Sequence, residues 1–557
     1  MLRIDQLKLP LDHQEDCLRD AIVKRLGIGL KRLISYRLVK KSIDARKQGQ
    51  IKLIYSVDVE VKGESFLLKR HAGNNLIRKA QDWSYRPVVS ASENLSAADS
   101  SRPVVVGAGP CGYFAALLLA QMGFRPLLLE RGKEVKDRTS QVFGFWKGQC
   151  SLDQESNVQF GEGGAGTFSD GKLYSQITDP KKYKSKVLEE LVKSGANNEI
   201  LTLHRPHIGT FKLATVVRGL RERILELGGE IRFQTRVDDL LMERTSLSKK
   251  SSKPFQIVGL RLQDGGVISS RNVVFAVGHS ARDSFQMLEK RGVSLQPKLF
   301  SVGFRIEHPQ SLINKARWGE MAGHSKLGHA EYKLVYHATN GRSVYSFCMC
   351  PGGLVVGSTS EKDCVVSNGM SQHSRNERNA NSALVVNLCA DDFKRFERWE
   401  GDPLVGIALQ RDLEKNAFLL GEGRYFAPVQ RLEDFLLGQA STSLGKVKPS
   451  YLPGIKVSDL SRSLPESLIE ALRESIPFFA ERIDGFDYPD AVLTGIETRT
   501  SSPVRITRDA TLESLNTFGL IPAGEGAGYA GGIMSAAIDG IRAAESIALK
   551  IAKEKNY

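Results

Sequence analysis

A short apolar strand, Pro103-Val104-Val105-Val106, runs directly into Gly107-Ala108-Gly109-Pro110-Cys111-Gly112 and then into the helical run that begins at Tyr113. Few backbone arrangements satisfy that order. Gly107 permits the tight turn, Gly109 lets the backbone approach a pyrophosphate, and Gly112 lets the helix pack closely on the strand. The helix start offers free N–H groups and partial positive charge to phosphates. A second strand, Pro126 to Leu129, ends at Glu130, 21 residues after Gly109, where a carboxylate can accept hydrogen bonds from ribose hydroxyls. Strand, glycines, helix, strand and acid form one βαβ unit and predict a dinucleotide site. A turn whose glycines serve packing alone would not require the acid.

The unit sits in a chain of 557 residues, long enough for about three to five domain-sized pieces. A hydrophobic content of 41% with 25% charged residues excludes wholesale disorder and fibrous architectures. The longest apolar run, Phe114 to Ala120, is far below the roughly 20 residues of a spanning helix, so no membrane span is expected. The N-terminus MLRIDQLKLPLDH lacks a signal-peptide core, and Asp5 and Asp12 argue against an intact organellar presequence. Seven cysteines without a C-x-x-C pair or zinc-type spacing fit a reducing compartment. These features point to a soluble intracellular protein, either retained where it is made or lacking a presequence.

The first 84 residues carry no dinucleotide motif. Residues 3–8 read as a strand and Asp12 as the cap of a helix over 13–26 that ends at Gly27. Residues 33–44 and 51–61 alternate around the turn RKQGQ as a hairpin. The result is a small βαββ module. It is basic: nine Lys or Arg stand between Lys24 and Lys47 against the single acid Asp44, within a chain of net charge +15. A solvated face is the plain reading of such a run, and a polyanion-binding surface is the other. Residues 85–101, rich in Ser and Ala, read as a linker that sets the module apart, and the polar stretch around 246–254 as a surface loop.

Which dinucleotide is bound is told by resemblance. The acid followed by Arg131 and Gly132, with Arg138 beyond, is similar to FAD-binding proteins. The stretch Gly524-Glu525-Gly526 through Gly531-Gly532-Ile533-Met534 resembles the second FAD motif of glutathione-reductase-like flavoproteins. In that likeness Glu525 binds the ribityl or pyrophosphate region, and Gly532, Ile533 and Met534 meet the flavin pyrimidine edge at the start of the last helix. Val237 takes the place where backbone meets adenine, and Gly278, ending Val273-Val274-Phe275-Ala276-Val277, matches the strand-to-glycine passage near the pyrophosphate. The segments Ser156–Leu173, Ala276–Asp283, Tyr345–Gly353, Asn368–Arg375 and Glu497–Pro503, with Lys40–Lys47, together resemble the family of predicted FAD-dependent dehydrogenases of bacteria and plant plastids.

The resemblance implies noncovalent FAD and an α/β fold: a Rossmann-type FAD-binding domain interrupted by an α+β substrate or cap domain and preceded by the small βαββ N-terminal module. The expected division is 1–84 for the module, 85–101 for the linker, 102–290 and 490–557 for the FAD-binding domain, and 291–489 for the insertion. The implied function is an FAD-dependent oxidoreductase passing a hydride between a small substrate and flavin N5. A flavin-containing, RNA-associated or RNA-modifying protein using the basic module is the alternative. A single fingerprint argues against a separate NAD(P) domain, while transient NAD(P) docking stays open. The compartment implied is the cytoplasm, or the plastid stroma if the source is a photosynthetic eukaryote.

Four further groups are candidates for chemistry. The loop Gly161–Lys172 has too many glycines for a helix or strand interior, and Gly163, Gly164, Gly166 and Thr167 are expected to wall the flavin or form an anion nest. His279 follows Gly278 and could donate a proton, and Arg499 could fork a substrate carboxylate. A structural histidine and an internal ion pair are their respective competitors. His308 reads as structural. Cys348 and Cys350, one residue apart, are either redox thiols or buried packing.

Overall fold

The computed structural model describes residues 1–46, 49–82, 84–91, 101–245 and 253–555. Most of the expected linker and the polar stretch near 250 lie outside the described residues.

The apolar strand Val104–Val106 stands at the centre of a five-stranded parallel sheet. Its order is Leu520–Pro522, Val273–Phe275, Val104–Val106, Leu127–Leu129, Glu230–Arg232. The three inner strands are buried on both faces, which is why they read as unbroken apolar runs. Helix Pro110–Gln121 covers one face and packs along the final helix, Ile533–Lys555. Glycine makes that contact close: a Cβ on Gly540 would stand 2.1 Å from the Cys111 carbonyl oxygen. At Gly107, φ is +101° and a Cβ would lie 2.4 Å from the Ala276 carbonyl oxygen, so only glycine fits the turn.

A second, seven-stranded sheet occupies the middle of the chain. Its long strands Ser343–Cys350, Asn379–Asn387, Ser301–Pro309 and Val492–Glu497 run antiparallel in that order. Helices Val405–Leu420 and Glu466–Arg482 pack on it. Val492–Glu497 was expected with the C-terminal segment from residue 490. It pairs instead with Ser301–Pro309 and Ala427–Arg431, because its six residues are all buried and need neighbours on both sides. The chain leaves this sheet only after Glu497.

The N-terminal module contains the expected strands Leu2–Pro10, Leu33–Asp44 and Lys52–Val61, plus a short helix Glu64–Arg70 and an edge strand Ile77–Lys79. These last two are too short to show a period in the sequence. The first helix spans Asp16–Leu26 and ends at a left-handed Gly27, as the sequence predicts, but Asp12 does not cap it. Nor does the module stand apart. Its apolar face, including Ile4, Leu53 and Val57, belongs to one hydrophobic cluster with Phe304, Leu384 and Phe479 of the middle sheet and its helices. Lys326 donates to the carbonyls of Leu11 and His13, and the Lys41 backbone exchanges hydrogen bonds with Thr202 and His204. No helix among the described residues is long and apolar enough to cross a membrane.

Candidate functional site

One cavity opens between the parallel sheet and the middle sheet, and the segments flagged in the sequence converge on it. Gly107, Gly109, Pro110 and Cys111 come from the fingerprint, Glu130 and Arg131 from the second strand, and Gly164 and Gly166 from the glycine loop. Val237, Gly278, His279, Arg499, Glu525, Gly532 and Ile533 complete the predicted set on its wall. Helix Pro110–Gln121 starts there without a side-chain cap, leaving its first N–H groups to whatever fills the space. A Cβ on Gly278 or Gly532 would meet nothing within 4 Å, and one on Gly109 only the Gly164 Cα at 3.9 Å. Bare backbone therefore forms the wall at three places, the shape that admits a pyrophosphate and a flat ring. FAD fits this donor set.

Glu130 is held by three backbone donors. Its Oε2 accepts from Ala108 N–H at 2.8 Å, and its Oε1 accepts from Gly132 and Gly161 N–H, each at 2.9 Å. One carboxylate thus ties the fingerprint turn to the glycine loop, and Oε2, which accepts a single N–H, retains acceptor capacity for a ribose hydroxyl. Arg131 is bidentate to both Glu155 and Asp283 and lies over the Phe160 ring.

Six predicted residues lie behind the wall. Gly112 allows the helix to close on Gly107. Arg138, fully buried, donates to the carbonyls of Asn157, Val158, Gly161 and Glu162 and so props the glycine loop from below; burial lowers it to about 10. Gly163 donates its N–H to the Ala108 carbonyl, while the buried Thr167 hydroxyl donates to Glu162. Gly524 packs on Cys111 and donates to Asp539, and Met534, the second residue of the last helix, is buried. Their contacts are structural supports of the cavity, since a residue committed to buried partners cannot also face a ligand.

The two residues expected to do chemistry behave differently from that expectation. Arg499 donates through Nε and Nη2 to Glu414 at 3.1 and 2.9 Å and through Nη1 to the hydroxyls of Ser280 and Ser360 at 3.0 and 2.7 Å. The fork proposed for a substrate carboxylate is therefore occupied by an internal one. Glu414 also receives both Nη groups of Arg282 and the Thr498 hydroxyl. Burial pushes Glu414 up, but the two guanidiniums outweigh it and hold it at about 2. His279 is brought down to about 3 by burial and by the Arg499 and Arg282 charges, so it is a neutral imidazole at neutral pH and not a switch there. His308 is buried with Nε2 2.6 Å from the Phe486 carbonyl oxygen, as a structural histidine would be.

The group that titrates near neutrality is Glu525. Burial raises its carboxyl from 4.5 to about 7, with the Gly532 N–H and Lys298 opposing. An acid whose folded-state value lies above its unfolded one binds its proton more tightly when folded. Its contribution is therefore full below about 4.5 and is lost as pH rises through about 7. Relative to Glu525→Gln, the purified protein is expected to lose thermal stability between about pH 5 and pH 8. Equal pH slopes in the two proteins would show that the Glu525 carboxyl is not raised in the folded state.

Sequence reasoning did not single out Lys172, Asn368, Glu414 or Ser280, although Lys172 sits in the flagged loop. Nothing local marks Glu414, one of several charged residues on helix Val405–Leu420.

A family described as FAD-dependent protein, C-terminal domain-like, matches residues 299–500, and a domain of unknown function matches residues 1–60. An uncharacterized protein of Clostridium beijerinckii is 46% identical over 551 residues, covering 98% of each chain. Among solved structures, the 3-ketosteroid-delta4-(5alpha)-dehydrogenase of Rhodococcus jostii RHA1 is 14% identical, with 80% of this chain and 96% of that one covered and a TM-score of 0.34. CtdE in complex with FAD is 12% identical, covering 81% and 89%, with a TM-score of 0.29.

Proposed function

Because the chain belongs to the family of the Clostridium beijerinckii protein over its whole length and carries the FAD-dependent C-terminal domain, we propose that it is an FAD-dependent oxidoreductase. In this reading it passes a hydride between a small substrate and flavin N5. The observation that carries the reading is that the fingerprint helix, Glu130, the glycine loop, Gly532 and Ile533 open on one cavity whose far wall is the middle sheet.

In this reading the start of helix Pro110–Gln121 binds the pyrophosphate, Glu130 orients the adenosine ribose, and Val237 meets the adenine. Gly532 and Ile533, at the start of the last helix, face the ring, where the helix end favours negative charge. FAD, when bound, supplies the two-electron acceptor. The middle sheet shields the ring from water. Glu525 holds a proton on its carboxyl near neutral pH, and His279 offers a neutral imidazole whose Nδ1 lies 3.0 Å from the Ser280 hydroxyl. Arg499, through Ser280 and Glu414, acts as a positioning residue for that wall.

Protein purified under native conditions is expected to release FAD on denaturation. Its bound flavin should bleach anaerobically with one member of a panel of metabolites that includes NADH and NADPH. Release of FMN, or of no flavin, would overturn the assignment. Bleaching by nicotinamide alone would make NAD(P)H the electron donor.

A further inference from the structure

The wall of the cavity formed by the middle sheet carries a cluster that the proposed function leaves unused. Strand Ser343–Cys350 pairs regularly with Asn379–Asn387 up to Phe347, then gains one residue before Cys350. At this bulge Cys348 takes φ +48°, a conformation that a non-glycine side chain rarely adopts. Bulges re-aim side chains, and this one brings Cys348 to the cavity that also holds Glu525 and Ile533. Cys350 is buried directly behind it, with its Sγ 3.3 Å from the Cys348 carbonyl oxygen.

Two cations hold the same turn. Arg305, fully buried and paired to Glu497, donates through Nη1 to the Cys348 carbonyl at 3.0 Å. Lys172, from the glycine loop, donates to the carbonyl of Met349 and pairs with Asp170 at 3.1 Å. The neighbouring Cys350 side chain, with the Lys172 and Arg305 charges, draws the Cys348 thiol well below the usual range despite burial, while the Cys348 side chain and burial push Cys350 up. A thiol pulled toward the thiolate beside one pushed toward the protonated form, with the first on the cavity wall and the second buried, is the arrangement of a nucleophilic and a resolving cysteine. In a regular strand two residues would separate the Cα atoms by about 6.6 Å, near the upper limit for a disulfide.

We propose that Cys348 and Cys350 are a redox-active dithiol that exchanges two electrons with the flavin across this cavity. The inference rests on the FAD reading above. In the oxidising direction the Cys348 thiolate and the Cys350 thiol become a disulfide. The S–H bond of Cys350 breaks and the S–S bond forms. Bound FAD would be the acceptor of the electron pair and of that one proton, so charge and hydrogen balance without another reactant. In the reverse direction the reduced flavin returns the electron pair and the proton, and the S–S bond breaks. The pair can thus store reducing equivalents or pass them to a disulfide substrate.

The test uses the full-length flavoprotein. After mild oxidation with diamide and removal of the reagent, the peptide spanning residues 348–350 should be lighter by two hydrogen atoms and refuse iodoacetamide at both sulfurs, while Cys150 remains alkylatable. On anaerobic dithionite titration the oxidised protein should take two electrons beyond those that reduce its flavin. Cys348→Ser and Cys350→Ser should each lose that extra pair while still binding flavin. Full alkylation of both thiols after diamide, or equal electron uptake in the oxidised wild type and both variants, would overturn the inference. A protein without FAD that still forms the disulfide would overturn the flavin reading and leave the thiol chemistry measured by mass alone.

Discussion

Glu414→Ala is expected to destabilise the protein by roughly 3–5 kcal/mol, the usual cost of removing one partner from a buried ion network. Glu414 is fully buried, and the side chains of Arg282 and Arg499 that flank it are 1% and 4% exposed. Without it two guanidiniums face each other in a poorly solvated wall, and only Arg282 keeps another carboxylate, Glu361 at 2.5 Å. Glu414→Gln keeps acceptor capacity while losing the charge and should fall between the wild type and the alanine variant. Arg411→Ala removes a cation whose side chain is 32% exposed and whose partner is Glu361, so solvent screening should hold its effect to about 1 kcal/mol or less. Urea unfolding of the four proteins checks the order. A Glu414→Ala midpoint equal to that of Arg411→Ala would show that the wall relaxes around the missing acid.

Glu130→Ala is expected to weaken FAD retention by about 10- to 150-fold, the equivalent of losing one charge-assisted hydrogen bond at about 1.5–3 kcal/mol. The loss has two sources. The acceptor for the ribose disappears, and the N–H groups of Ala108, Gly132 and Gly161 lose the carboxylate that holds the fingerprint turn against the glycine loop. Glu130→Gln can replace one acceptor and should retain flavin better than alanine. Flavin fluorescence during dilution and rebinding measures the difference. Unchanged affinity in the alanine variant would mean that the loop is set by Arg138 and the Gly163 to Ala108 hydrogen bond alone.

The βαβ unit was legible because its constraints are local. Gly107 needs its left-handed turn whatever surrounds it, the helix must begin at Pro110, and the acid must end the next strand. The module's hairpin and the left-handed Gly27 were legible for the same reason, whereas the C-terminal turn was legible through its resemblance to a known FAD motif. Short elements such as Glu64–Arg70 and Ile77–Lys79 were not, since seven and three residues carry too little of either period to be told from a loop.

What a charged side chain does was decided only in three dimensions. The sequence left Arg499 open between a substrate and an internal ion pair because Glu414, its partner, lies 85 residues away on a helix with no signature. His279 was left open between a proton donor and a structural histidine because its desolvation and the guanidinium charges that lower it come from contacts the sequence does not show. The boundary near residue 490 and the separateness of the module failed for a related reason: buried faces choose their neighbours by packing, and sequence order does not record the choice. Cys348 was visible as one of a pair. Its neighbours Lys172 and Arg305 arrive from segments 176 and 43 residues upstream, and only folding sets them around one turn. Local backbone geometry is written in adjacent residues, whereas burial and Coulomb energy depend on which distant segments meet.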